Sequence, residues 1–322
     1  MRVVARHALV VAVGVLLHAG CAHHRTPSPA DRFFLHKNAR RTVQAPDAPP
    51  APSLEESIGK IRQLMAAARP TPKAQAVTLE QRDPVLAAAL KRLSEFTSDE
   101  NLCDVGAAYH RAGLIDQAYA YYTRALALNP RHAPSHEALA RAWRDWGLPH
   151  LGLGDAHRAI YYAPRSASAR NTLGTILHAI GRREDARVAY KTAIVLDAEA
   201  GYAFNNLCYL SFAEGNASQA IDECRTALRL DPTLSAAHNN LALTYAAIGR
   251  LDLARREFAE AGGHTNPAYN MGIVFLAQSR YLEAASEFET AQHTGPRLVD
   301  AERRARDARQ LAHAERAAGG EQ

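Results

Sequence analysis

Apolar residues begin to recur at helical spacing near Ser53. After the capping pair Ser53/Glu56, Leu54, Ile58, Ile61, Met65 and Ala68 mark one helix that Pro70 stops. Asp83-Pro84, an N-cap followed by proline at the first helical position, opens a second that carries Leu86, Leu90 and Leu93 to about Phe96. The two predict N-terminal capping helices over 53–98. From residue 99 onward the pattern copies itself: Pro130 to Pro164, Pro164 to Ala198 and Ala198 to Pro232 are each 34 residues. A fixed period of this length marks one supersecondary unit repeated in tandem. The predicted units are 99–132, 133–166, 167–200, 201–234, 235–264 and 265–298, followed by a charged capping helix over 299–318 and a disordered tail at 319–322. The fifth unit is four residues short, so either its second helix loses a turn or the stack takes an irregular step there.

Inside the copies, small and large residues return at fixed places. Leu173-Gly174, Leu207-Cys208, Leu241-Ala242 and Met271-Gly272 sit in the first helix, while Gly113, Gly147, Gly181, Gly215 and Gly249 fall at the turn. Ala118, Ala186, Ala220, Ala254 and Ala284 open the second helix, and Tyr122, Tyr190, Phe258 and Phe288 follow them. This arrangement resembles the tetratricopeptide repeat. The resemblance implies an all-α fold, a right-handed α-α superhelix of about six helix-turn-helix repeats with N- and C-terminal capping helices, in which small side chains let antiparallel helices approach and the aromatic fills the wedge toward the neighbouring pair. The second unit is degenerate, with Gly152 where alanine is expected, Gly154 nearby and Ala156 in place of the aromatic, each interior glycine costing up to ~1 kcal/mol.

The first 21 residues read differently. Arg2 and Arg6, an apolar run from Ala8 to Leu17 and small residues before Cys21 make a secretory signal over 1–20, too short to span a membrane. The ending resembles the lipobox of bacterial lipoproteins: Ala19 and Gly20 match, and His18 stands where that family has an apolar residue. The resemblance implies lipidation of Cys21 and, with Ala22 next, an outer-membrane destination; ordinary cleavage to a soluble periplasmic or secreted protein is the alternative. Residues 21–52 are rich in proline, alanine and basic residues without an apolar period, and predict a disordered tether.

Composition narrows the chemistry. Aromatics are 7% and β-branched residues sparse, which favours helices. The formal charge of +5 is mild and concentrated in the tether, which suits an anionic surface better than a nucleic-acid site. No Walker loop, Gly-x-Ser-x-Gly or cysteine pair at metal spacing is present, so no catalytic residue, metal, cofactor or small-molecule substrate is expected. The scattered histidines read as solvated. Cys208 holds the small slot of the fourth unit and Cys224 its aromatic slot; both read as buried fillers, with a bridge between the two helices as the alternative in an exported protein.

The repeat register places Asn171, Asn205 and Asn239 at position five of the first helix, and Asn206, Asn240 and Asn270 at position six. The family resemblance puts first helices on the concave surface, so these amides are expected to line a groove that reads the backbone of an extended peptide. Tyr202, Tyr209, Phe212 and Tyr269 are expected beside them, with a basic half made by Arg111, Arg141 and Arg144. Together these features predict a non-enzymatic scaffold, held in the cell envelope by Cys21, that binds a peptide or helix of a partner protein. Its layout is similar to tetratricopeptide lipoproteins that assist pilus or secretion assembly; the alternative is an adaptor regulating or presenting substrate to an envelope enzyme, a peptidoglycan hydrolase or glycosyl transferase.

Overall fold

The structure is a computed structural model that describes residues 79–262, 266–294 and 299–319. The signal, Cys21, the tether, the helix expected at Ser53 and residues 320–322 lie outside the described residues. All regular structure among the described residues is helical, and the described chain falls into two compact units, 79–164 and 165–319.

The N-terminal unit holds α1 (Leu79–Arg82), α2 (Pro84–Glu95), α3 (Asp99–Arg111), α4 (Ile115–Leu128), α5 (Ala133–Asp145) and α6 (Pro149–Tyr162). Asp83 caps α2 by accepting from the backbone N–H groups of Val85 and Leu86, and Ser98 caps α3 by accepting from Asn101. Leu86 and Ala89 of α2 pack with Val105, Ala108 and Tyr122 in one core, so α2 covers the first repeat.

The C-terminal unit holds α7 (Ala167–Ala179), α8 (Arg183–Leu196), α9 (Gly201–Ala213), α10 (Ala217–Leu230), α11 (Ser235–Ala247), α12 (Leu251–Glu260), α13 (Pro267–Ala277), α14 (Tyr281–Thr294) and α15 (Val299–Gly319). α15 closes this unit, burying Ala301, Ala305, Ala308 and Ala312 on one stripe and leaving charged residues outside.

Within each repeat the turn glycine takes a left-handed backbone, with φ between 72° and 87° at Gly113, Gly147, Gly181, Gly215 and Gly249. The sixth repeat does the same with Ser279 at φ 59°, a conformation that costs a side-chain-bearing residue about 1–2 kcal/mol.

The aromatic residue packs toward the next repeat, as Tyr122 does in the core it shares with Ala138, Leu139 and Ala142, and it also fills a slot within its own. It lies over the glycine of its own repeat's first helix: a Cβ added at Gly106, Gly174 or Gly272 would sit 2.5, 2.4 or 2.7 Å from Tyr122, Tyr190 or Phe288. The two positions are always 16 residues apart, and other repeats fill them in compensating ways. Ala140 and Ala156 share the space in the second repeat, Ala242 and Phe258 in the fifth, all fully buried. In the fourth, Cys208 and Cys224 are joined by a disulfide across a Cα separation of 5.2 Å, which corrects their reading as unlinked fillers.

Two histidines are built into the scaffold. His136 meets Asp155 at 2.9 Å through Nδ1 and the Pro130 carbonyl at 3.0 Å through Nε2. Three periods later, His238 meets Glu257 at 2.8 Å and the Pro232 carbonyl at 3.1 Å in the same way. Each imidazole ties the end of the preceding repeat to the second helix of its own, so these residues are bound rather than solvated. The His136 contact also anchors α6, which runs as one continuous helix through the glycines expected to weaken it.

The missing residues of the fifth unit resolve as a lost turn. α12 has 10 residues where α8, α10 and α14 have 14, and it ends at Ala261 before a left-handed Gly262 with φ 61°.

Candidate interaction surface

The first helices of the C-terminal unit carry the predicted amides on α7, α9, α11 and α13, and the structure links them. Asn206 Nδ2 donates to Asn171 Oδ1 at 2.7 Å, and Asn240 Nδ2 donates to Asn205 Oδ1 at 2.9 Å. Position six of one repeat thus bonds position five of the repeat before it, and the paired asparagines form rungs between helices. Each bond uses one of an amide's two N–H donors and one lone pair of its oxygen. All four residues are half-buried, so the remaining capacity borders solvent.

The third pair breaks the series. Asn270 and Asn239 occupy the same two positions, yet Asn270 Nδ2 and Asn239 Oδ1 are buried with no hydrogen-bond partner. Asn270 is only 4% exposed, so it is not the open groove residue expected.

The apolar members divide as well. Phe212 is 2% exposed and belongs to the core with Leu241, Tyr245 and Phe258, which removes it from the predicted surface. Tyr202 is 37% exposed, and Tyr209 and Tyr269 are half-buried. Tyr209 stands edge-on to His178, ring centroids 5.4 Å apart. Burial, opposed only by Arg183, raises the Tyr209 phenol; burial and then Arg183 lower the His178 imidazole. Tyr269 packs edge-on against Phe288, and the Arg304 guanidinium lies over its ring at 5.6 Å.

The basic half belongs to the N-terminal unit and is not simply basic. Arg141 pairs with Glu137 at 3.6 Å, and Arg144 donates to Asp145 at 2.8 Å. His110 meets the other Asp145 oxygen at 2.9 Å through Nε2, with the Tyr122 hydroxyl 3.4 Å from its Nδ1. Burial acts to raise the Asp145 carboxyl, but hydrogen bonds from His110 and Arg144 outweigh it and hold the pKa at about 2. Arg111 is exposed at the end of α3. The expected positive patch is therefore a mixed-charge network. Its carboxylates, Glu137 and Asp145, lie on the same helix as Arg141 and Arg144.

Among the described residues no helix is long and apolar enough to cross a membrane, and no three His, Cys, Asp or Glu side chains gather as a metal ion would require.

Comparison with known proteins agrees with this geometry. Two sequence models described as Tetratricopeptide repeat match residues 100–132 and 223–256. The first spans the first repeat; the second straddles α10 and α12, joining the fourth repeat to the fifth. A TPR repeat-containing thioredoxin of Arabidopsis thaliana is 33% identical over 90 residues, 28% of this chain and 13% of that protein. Among solved structures, the APC/C hetero-tetramer Cut9–Hcn1 aligns with a TM-score of 0.58 at 16% identity, over 69% of this chain and 45% of that one. PilW aligns with a TM-score of 0.53 at 18% identity, over 63% and 96%. A tetratricopeptide repeat protein of Parabacteroides merdae gives 0.51 at 17% identity, over 79% and 98%. This chain thus spans a small part of the first relative and under half of the first structure, and at these identities the structures speak to fold alone. Helix pairs at a 34-residue period, a left-handed turn after each first helix, the small-against-aromatic slot and two matching repeat models show that this chain carries tetratricopeptide repeats.

Proposed function

We propose that the protein is a non-enzymatic interaction scaffold whose C-terminal unit binds an extended segment or helix of a partner protein along its first helices. The observation that carries this reading is the row of half-buried amides, Asn171, Asn205, Asn206, Asn239 and Asn240, bordered by Tyr202, Tyr209 and Tyr269. Amides fixed in place by rungs offer donors and acceptors to a peptide backbone at low ordering cost, and tyrosines add apolar area beside them.

The same reading places the chain in the cell envelope, lipid-anchored through Cys21 at the periplasmic face of the outer membrane, within the assembly of a pilus, secretion or related complex. Two observations support it. The buried Cys208–Cys224 disulfide suits an oxidising compartment. PilW, described as a widely conserved type IV pilus biogenesis factor, has the same fold.

Affinity capture from envelope extracts tests the scaffold. Wild type is expected to retain partners that Asn206→Ala/Asn240→Ala loses while its circular dichroism stays helical; equal capture by both would sink the groove. Fatty-acid labelling tests the anchor, with label expected on wild type and absent from Cys21→Ser. Label that persists in the variant overturns lipidation at Cys21, and a wild type without label leaves the soluble form.

A further inference from the structure

In the N-terminal unit, α2 stands where the second helix of a preceding repeat would stand. It packs on α3 as α4 packs on α5, and its Leu86 and Ala89 join the core of the first repeat. The second helices α4 and α6 of the same unit also pack along the first helix of their own repeat, α3 and α5. Among the described residues α2 has only the four-residue α1 ahead of it. Its apolar residues run round more of the helix than α3 covers. At ~100° per residue, Ala88, Val85, Ala89, Leu93, Leu86 and Leu90 take up about 200° of the circumference, where one neighbour needs roughly 100°. Leu86 and Ala89 are buried, and Leu90 and Leu93 are half-buried. The rest of the arc is open: Val85 is 50% exposed, Ala88 is exposed beside it, and Phe96, just past the helix, is 68% exposed.

We propose that the chain's own segment Ser53–Arg69 docks on this stripe as the first helix that α2 lacks. Its sequence carries a capping pair and one apolar stripe, Leu54, Ile58, Ile61, Met65 and Ala68, at spacings of four, three, four and three, with Glu56, Lys60 and Gln63 opposite. That is the pattern of a helix that buries one side against a neighbour. Length and direction fit. The 17 residues make a helix of about 25 Å, against about 18 Å for the 12 residues of α2. The nine residues 70–78 reach up to about 30 Å, enough for the segment to run back antiparallel along α2, and Pro70 and Pro72 keep them from continuing the helix. The chain's entry is fixed beside the stripe, because Leu79 packs against the core of the first repeat and Glu80 accepts from the Tyr109 hydroxyl at 3.2 Å. Docking completes a further helix pair and ends the stack on a polar side, as a terminal unit requires. For a chain anchored at Cys21 it also shortens the tether from 22–78 to 22–52 and holds the first repeat closer to the membrane; the docking itself does not rest on that anchor.

Hydrogen exchange read by mass spectrometry on the full chain in detergent tests this. Amides of 53–69 are expected to exchange at least about tenfold more slowly than those of 22–52, since a docked helix opens only against its packing. Ile58→Asp/Ile61→Asp is expected to abolish that protection and to speed exchange in α2 while α13 and α14 stay as in wild type. Val85→Asp changes a half-exposed residue on the other side of the contact, so the fold survives it, and it is expected to release 53–69 in the same way. Exchange of 53–69 as fast as 22–52 in wild type overturns the docking. Protection that Val85→Asp leaves intact overturns it too, by showing that the segment packs elsewhere. Light scattering separates the remaining occupant: a dimer that Val85→Asp dissociates, with 53–69 unprotected throughout, means that a second copy covers the stripe and the proposal is wrong.

Discussion

The steps from repeat three to four and from four to five are made of the same parts as the step from five to six and behave differently. In the first region the period is a full 34 residues, amide rungs close at 2.7 and 2.9 Å, and a disulfide fastens the fourth repeat. In the second, Asn239 Oδ1 and Asn270 Nδ2 at the same positions stay unpaired, and Ser279 takes the left-handed turn of the sixth repeat. Side-chain identity is held constant across the comparison while helix length changes. A hydrogen bond between repeats depends on the step that carries one helix to the next, and four residues in a neighbouring helix outweigh two correctly placed amides.

The largest break in the regular region comes from removing its staple. Cys208→Ala/Cys224→Ala releases a loop of sequence separation 16 and is expected to cost about 3 kcal/mol, read as a lower urea midpoint that reductant no longer shifts. Overpacking the small slot comes next. Gly174→Ala in the regular region and Gly272→Ala beyond the short helix each drive a Cβ into an aromatic ring and are expected to lose about 1–3 kcal/mol in thermal or urea unfolding. Equal losses would show that the slot within a repeat is indifferent to the step between repeats.

The amides then separate the two regions by sign. Asn205→Leu strands the Asn240 donor and is expected to destabilise by about 1–2 kcal/mol. Asn239→Leu/Asn270→Leu removes two groups that already lack partners and is expected to leave the free protein unchanged or more stable. A loss as large as that of Asn205→Leu would mean the third rung closes in solution.

The smallest effect is a pH dependence beside the first rung. The folded state holds His178 below its ordinary value, through burial and Arg183, so the unfolded chain binds the proton more readily. Its contribution is complete above the ordinary imidazole range and fades as pH falls through that range toward the lowered value. The difference in melting temperature between wild type and His178→Gln should therefore change across that interval and be flat above it.

Much of this architecture was legible because it is periodic. Proline and glycine marked helix ends, and Gly106, Gly174 and Gly272 left room for the ring 16 residues on. Burial was harder to read. Phe212 and Tyr209 lie three residues apart on α9 and looked equivalent, but one turns into the core shared with α11 and α12 while the other stays half-exposed against His178. The charge on α5 likewise depends on which partners the fold supplies. Arg144 and Asp145 are neighbours in sequence, and only the position of His110 on α3 shows that the carboxylate is shared between two groups.

Sequence alone determined the repeat unit, its length and the position of its shortened copy, since local periodicity and turn chemistry depend on residues near one another in the chain. Tertiary structure decided which equal residues pair. The disulfide, the histidine ties and the two closed rungs each need atoms from different helices within hydrogen-bonding or bonding distance, and that distance is set by the accumulated geometry of whole helices. Asn270 makes the separation plain: its identity and register were readable in the chain, and its missing partner was decided by the turn that α12 lacks.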